Sequence, residues 1–298
     1  MPHSHVSDLR SVALNVPDLK QAEEFYTRTW LLQVAARESD ALYLRGSGRE
    51  HHILSLHRAA KPALRHIAFR VRSAGSLDAI AGEAVAAGGR VVSGVSKSTD
   101  PAGGSALIVA DPQGRVLRFV HGDVTHDDAG ETPLQPIRLS HVVLNSNAVD
   151  RDRVFFEQVL KLTLSDRTRI MAFLRCNSDH HCLALADGEG PSLNHIAFLM
   201  RDLDGVMRGG GRLADAGFPI VWGPGRHGPG NNLFNYFIDP FGFVIEYTAE
   251  VQQVDDSYRT GGPEDWKWPP GRIDHWGISA PPSPQIKEAQ KTIFFQPT

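Results

Sequence analysis

The chain reads as an α+β protein of two tandem domains, each made of paired βαβββ modules that form an open, barrel-like mixed sheet. Three repeated landmarks carry this reading. Arg65-His-Ile-Ala-Phe-Arg-Val71 and Asn194-His-Ile-Ala-Phe-Leu-Met200 share His-Ile-Ala-Phe, 129 residues apart. Leu9-Arg-Ser-Val-Ala-Leu-Asn15 lies over Leu139-Ser-His-Val-Val-Leu-Asn145, and Asp111-Pro-Gln-Gly114 over Asp239-Pro-Phe-Gly242, at nearly the same offset. A duplication at that spacing places the domains at 5–122 and 137–250.

Each half runs in the same order. A short alternating strand (9–15, 139–145) comes first. An amphipathic helix follows: Asp18 to Thr29 with Ala22, Phe25 and Tyr26 inward, then Asp150 to Leu160 with Val154, Phe155 and Val159 inward. Short strands are predicted at 41–45, 51–56, 169–175 and 182–186, and the His-Ile-Ala-Phe strand comes next. A second helix (76–87, 203–216) ends at Gly88 or Gly217, as glycine C-caps do. Strands at 105–110 with 115–120, and 233–238 with 243–248, close each half through the Asp-Pro-x-Gly turn. Residues 123–136 are polar and read as a linker. After Glu250 the pattern stops. The tail, 251–298, carries Trp266, Trp268 and Trp276 and is expected to pack back over the mouth of the second domain.

Composition narrows the function. Hydrophobic content of 41% lets each half bury a core, while a net charge of −3 without a basic run argues against nucleic acid and membrane surfaces. The two cysteines, Cys176 and Cys182, make no disulfide framework and suit a reducing compartment. No apolar run approaches a spanning helix, and the N-terminus lacks a signal-peptide core, so the cytoplasm is the expected setting.

The copies differ in their polar residues. The second has His141, His195 and Glu246, where the first is read as Val12, His66 and Arg118. Alternate strand residues share a face. His141 therefore sides with Val143, His195 with Ala197, and Glu246 with Val244 and Thr248. Each is a lone polar residue on an apolar face. Any one alone is more often a satisfied core residue. Together they make a buried carboxylate beside two imidazoles, an arrangement that a divalent metal relieves. Two histidines and one carboxylate form the facial triad of non-haem iron(II) sites, with Mn(II) and Zn(II) as competitors. His66, left with an arginine, reads as structural.

Other residues stand near the triad in sequence. His181 lies 14 residues before His195, Tyr236 ten before Glu246, and His227 in the loop Gly223-Pro-Gly-Arg-His-Gly-Pro-Gly230. His180 reads as exposed, His227 equally well as a surface loop residue, and Tyr236 as a half-buried strand aromatic.

Leu139-Ser-His-Val-Val-Leu, Arg175-Cys-Asn-Ser-Asp-His-His-Cys-Leu-Ala-Leu, Leu193-Asn-His-Ile-Ala-Phe, Gly223-Pro-Gly-Arg-His-Gly and Asn235-Tyr-Phe-Ile-Asp-Pro-Phe-Gly-Phe-Val-Ile-Glu-Tyr carry a resemblance. The chain resembles the two-domain (type I) extradiol ring-cleaving dioxygenases of the vicinal oxygen chelate superfamily, over about residues 5–250. The resemblance implies Fe(II), with Mn(II) as the alternative, on the triad. It implies an acid–base role for His181 and hydrogen-bonding roles toward substrate or oxygen for His227 and Tyr236. It also implies a substituted catechol and O₂ as partners, in a homo-oligomer (dimer or tetramer). One departure is Val143, where some relatives carry Asn. Some relatives use a tail arginine on carboxylated catechols. Arg272 is the candidate for that bidentate grip, against a plain salt bridge to Asp274 or Glu264. The competing readings are a glyoxalase-like lyase or isomerase on the same scaffold, and a non-enzymatic small-molecule binder.

Overall fold

A computed structural model describes residues 4–127, 132 and 134–297. The first half runs β1 (Val6–Val16), α1 (Leu19–Glu24), β2 (Gln33–Arg37), β3 (Ala41–Arg45), β4 (Leu54–Arg58), β5 (Ala63–Val71), α2 (Ala74–Ala86), β6 (Arg90–Lys97), β7 (Ser105–Ala110) and β8 (Val116–His121). The second runs β9 (Arg138–Ser146), α3 (Val149–Leu160), β10 (Thr163–Arg167), β11 (Met171–Arg175), β12 (Leu183–Asp187), β13 (Ser192–Leu199), α4 (Leu203–Asp215), β14 (Trp222–Arg226), β15 (Leu233–Ile238) and β16 (Val244–Ala249). Each half is thus βαβββ twice. The tail adds α5 (Pro284–Ala289) and β17 (Ile293–Phe294). No described helix is long and apolar enough to cross a membrane.

Both sheets have the same order, β2-β3-β4-β1-β5-β8-β7-β6 and β10-β11-β12-β9-β13-β16-β15-β14, with β17 added against β13. The module-opening strands pair antiparallel at the centre, and each also runs parallel to the last strand of its own module. The sheet is mixed and open.

Local chemistry explains the element ends. Asp18, Ser73 and Asp202 cap α1, α2 and α4 by accepting backbone N–H groups of the first turn. In the closing hairpins Asp111 and Asp239 each accept two backbone N–H groups through Oδ1. Gly114 and Gly242 turn the chain there at φ +84° and +92°, which favours glycine.

Register corrects one reading of the repeat. Ile67 pairs with Val12 and Ile196 with Val142, so the first-domain counterpart of His141 is Ser11, not Val12. Val154 is 38% exposed, and Phe156 takes the inward place beside Phe155 and Val159. The four edge strands, β2, β6, β10 and β14, lie outside the strands expected from sequence. β6 is exposed along its length and β14 is Trp-Gly-Pro-Gly-Arg, so neither shows the apolar alternation that marks a strand. Of the expected linker, residues 128–131 and 133 lie outside the described residues. Asp123, at its start, is bound by Arg10 and Arg70 of the first domain.

One apolar core spans both halves. Trp30 stacks on Tyr247 at 3.8 Å, and Tyr26 donates to Asp239. Small clusters around Val143 with Phe173, and Phe234 with Tyr236, sit apart from it on the second sheet. They flank the site described next.

Candidate metal centre

Four adjacent strands of the second sheet bring the site together. His141 on β9 pairs with Ala197 on β13, Ala197 with Glu246 on β16, and Glu246 with Tyr236 on β15. His195 lies two residues before Ala197 on β13. The strands are apolar and central because the fold needs them so, and the polar side chains ride on that rigid row.

His141, His195 and Glu246 are all buried, with one donor atom from each within 4.8 Å of the others. Glu246 Oε2 lies 3.3 Å from His141 Nε2 and 3.1 Å from His195 Nε2. Neither Glu246 oxygen has a well-formed hydrogen bond. Burial pushes Glu246 up, but the two imidazoles outweigh it and hold the carboxyl well below the usual range. A fully buried, ionised carboxylate with both oxygens unpartnered costs free energy unless a cation completes it. Two imidazole nitrogens and a carboxylate oxygen fit Fe(II), Mn(II) or Zn(II). This is the one such cluster among the described residues.

The far nitrogens of both histidines are held as metal sites require. His195 Nδ1 donates to Asn194 Oδ1 at 2.8 Å, and His141 Nδ1 lies 3.1 Å from Ser140 Oγ. The bond to Asn194 leaves His195 Nε2 bare toward the ligand position, and the Ser140 hydroxyl can accept from His141 Nδ1 in the same sense. Asn194 is held in turn by Asn145 and by Gln290 of the tail. Sequence reading missed Asn194, Ser140 and Gln290. The repeat held a signal for two of them: the counterparts of Asn194 and Ser140 in the first copy are Arg65 and Arg10.

The triad opens on a cavity of about 570 Å³. His181 and Tyr236 line it, as does His227, which follows edge strand β14. His227 Nε2 lies 3.0 Å from the Tyr236 hydroxyl, which is 3.5 Å from His195 Nε2. Burial and the neighbouring histidines hold His181 well below the usual imidazole range. Burial takes His227 down to about 4, against the pull of Glu246. Burial and Glu246 raise Tyr236 well above its ordinary value. The site therefore offers neutral imidazoles and a protonated phenol at neutral pH.

His180 is buried, not exposed. Its Nε2 lies 2.7 Å from Asp166 Oδ2 and its Nδ1 3.1 Å from His181 Nδ1. Its place beside a carboxylate brought in by edge strand β10 is a tertiary contact that local sequence does not show.

The tail supplies part of the wall. Trp266, Trp268, Ile273, Pro282, Lys287 and Gln290 line the cavity. Ile286 is buried against the Phe234–Tyr236 cluster, and Arg226 lies over the Trp276 ring at 5.3 Å. Arg272 is not brought to the cavity. It is exposed, and its guanidinium donates to the carbonyls of Asp274 and His275 in its own turn. Cys176 and Cys182 are buried and free.

The first domain has no such centre among its described residues. Beside Ser11 stand Arg10, His52, Asp100 and Arg118, a charge network that continues through Arg10 to Asp123. Burial and nearby arginines hold His66 well below the imidazole range, in keeping with a structural, neutral side chain.

Comparison with known proteins agrees with this architecture. The family model for the Glyoxalase/Bleomycin resistance protein/Dioxygenase superfamily matches residues 8–119 and 138–247. The Mn(II)-bound glyoxalase from Novosphingobium aromaticivorans is 34% identical, covering 95% of this chain and 94% of that chain with a TM-score of 0.88. Metapyrocatechase 2 from Cupriavidus necator is 28% identical over 94% of this chain and 92% of its own. A variant of homoprotocatechuate 2,3-dioxygenase from Brevibacterium fuscum is 25% identical, covering 93% and 81% of the two chains with a TM-score of 0.81. With both duplicated halves matched separately and similarity running nearly end to end, the chain belongs to the Glyoxalase/Bleomycin resistance protein/Dioxygenase superfamily.

Proposed function

We propose that the protein is an extradiol dioxygenase, cleaving the aromatic ring of a substituted catechol with O₂ at an Fe(II) site, with Mn(II) as the alternative metal. The carrying observation is the three-ligand cluster at the wall of an aromatic-lined cavity with His181, His227 and Tyr236 around it. Metapyrocatechase 2 and homoprotocatechuate 2,3-dioxygenase, to which the chain is similar, support the same reaction class.

His141, His195 and Glu246 would hold the metal. Fe(II) bound there would supply the electron transfer that lets an aromatic diol react with O₂. The chain's own residues do the rest. His181, neutral, takes a proton from a substrate hydroxyl and returns it during ring opening. The Tyr236 hydroxyl, held by His227, donates a hydrogen bond to oxygen atoms beside the ligand face. Phe173, Trp222, Trp266 and Trp268 exclude water and suit an apolar ring substituent. Arg272 has no part in this account, so the favoured substrates are alkyl- or aryl-substituted rather than carboxylated.

A second reading, a metal-dependent isomerase or lyase, is favoured by the similarity to the Mn(II)-bound glyoxalase from Novosphingobium aromaticivorans. Such enzymes commonly use a fourth protein ligand, and no fourth His, Cys, Asp or Glu joins the cluster among the described residues. The buried free thiols suit the cytoplasm. Assembly as a dimer or tetramer is testable by light scattering. The functional test is anaerobic reconstitution with Fe(II), then exposure to air with a panel of substituted catechols. A yellow ring-opened product supports the reading. Isomerisation of an α-keto aldehyde–thiol adduct without O₂ uptake supports the second.

A further inference from the structure

We propose that Asp166 and His180 are positioning residues that fix the tautomer of His181, holding its ring proton on Nδ1 and leaving its Nε2 lone pair free for the cavity. The assignment rests on the ring-cleavage reading for what His181 does, and on hydrogen-bond geometry for how it is held.

Asp166 projects from β10 and is wholly buried. Its Oδ1 accepts the Gly261 N–H at 2.7 Å. Its Oδ2 accepts the Tyr258 hydroxyl at 3.1 Å and lies 2.7 Å from His180 Nε2. A carboxylate satisfied by two other donors has only lone pairs to offer, so His180 must carry a proton on Nε2. In the neutral ring this leaves His180 Nδ1 bare. His180 Nδ1 and His181 Nδ1 are 3.1 Å apart, and one of them must donate. The proton is therefore on His181 Nδ1. The other nitrogen of His181 is then an acceptor, on a ring that lines the cavity 4.3 Å from His141, centroid to centroid. A base that takes a substrate proton needs that state.

The duplication supplies a control. In the first sheet β2 pairs with β3 through the same irregularity as β10 with β11, and the register puts Ala36 where Asp166 stands. The histidine pair survives there, His51 Nδ1 lying 3.0 Å from His52 Nδ1. His52, the counterpart of His181, accepts from Arg10 through Nε2 at 2.6 Å, where His181 faces the cavity. The domain without metal ligands thus folds with the pair and without the carboxylate. A carboxylate needed only for packing would be needed in both. Tyr258 and Gly261 belong to the tail, so the same segment that walls the cavity also holds the relay. The approach is close: a Cβ at Gly261 would stand 2.6 Å from Asp166 Oδ1.

The test uses the full chain, labelled with ¹⁵N at histidine and loaded with Zn(II), which is diamagnetic. His181 is assigned by its loss from the spectrum of His181→Asn. The parent should show His181 protonated at Nδ1 and bare at Nε2. Asp166→Asn is isosteric, but its amide donates to His180 Nε2. It should reverse both tautomers, and in the Fe(II) enzyme lower kcat by about 100-fold or more with KM and metal content little changed. His180→Gln keeps the sense of the relay, since its amide donates to Asp166 and its carbonyl accepts from His181. It should retain the tautomer and most of kcat. The relay is overturned if the parent carries the His181 proton on Nε2, if Asp166→Asn moves neither tautomer nor kcat, or if His180→Gln loses as much as Asp166→Asn. A parent that cleaves no catechol overturns the ring-cleavage reading instead, and the nitrogen spectrum still decides the relay.

Discussion

Glu246 is the residue on which the site turns, because both of its oxygens are buried without hydrogen bonds beside two imidazoles. Glu246→Ala should reduce metal content, read by mass spectrometry of the dialysed protein, to below about a tenth of the parent's. Asn194→Leu should keep the three ligands but release His195 Nδ1, weakening metal affinity by about 10–100-fold in a chelator competition. His181→Asn should keep the metal and lose turnover by about 100- to 10,000-fold, read in single-turnover kinetics. The triad was legible in the sequence because each ligand is a lone polar residue in an apolar strand, with a sister strand to compare. Asn194 and Ser140 were not, because a polar residue beside a ligand looks like any strand-end polar residue until its partner is seen. Arg272 has chemistry that suits a carboxylate, and here its guanidinium donates to the backbone carbonyls of Asp274 and His275, a local contact that its sequence position does not show.

Among the elements, central strands and capped helices followed from apolar alternation and N-cap chemistry, whereas edge strands β2, β6, β10 and β14 did not. An edge strand owes its place to one neighbour, so its sequence is free to look like a loop. That freedom hid Asp166, the residue β10 delivers to His180. The first sheet makes a prediction of its own. Burial, then Arg65, holds His57 down at about 4, and burial also depresses His52 and His66. Between about pH 6.5 and 4 the unfolded chain binds a proton at His57 and the folded chain does not. Stability is therefore lost as pH falls through that window, by roughly 3 kcal/mol from His57 alone. Urea unfolding across the range should show the decline, and His57→Gln should make it shallower by about that amount. The tail element is fastened by Ile286, buried among Phe234, Tyr236 and Val244. Ile286→Ala should cost about 2–5 kcal/mol of local stability, read as faster hydrogen exchange in 258–290.

At the scale of the whole molecule, duplication has given two sheets of one order and two different interiors. The first closes its polar positions with the Arg10–Asp100–Arg118 network, and the second leaves His141 and His195 on the wall of a cavity with Glu246 buried beside them. The halves share one core, so the ligand-free domain still supports the other through contacts such as Trp30 on Tyr247. Ring cleavage at this site requires one metal per chain and O₂ chemistry at that metal. The most direct measurement is mass spectrometry of product from a single turnover, with the anaerobic Fe(II)–catechol complex mixed with ¹⁸O₂ and quenched before carbonyl exchange. The account predicts a ring-opened product carrying both labelled atoms. An intact ring, or a product with one label or none, contradicts it.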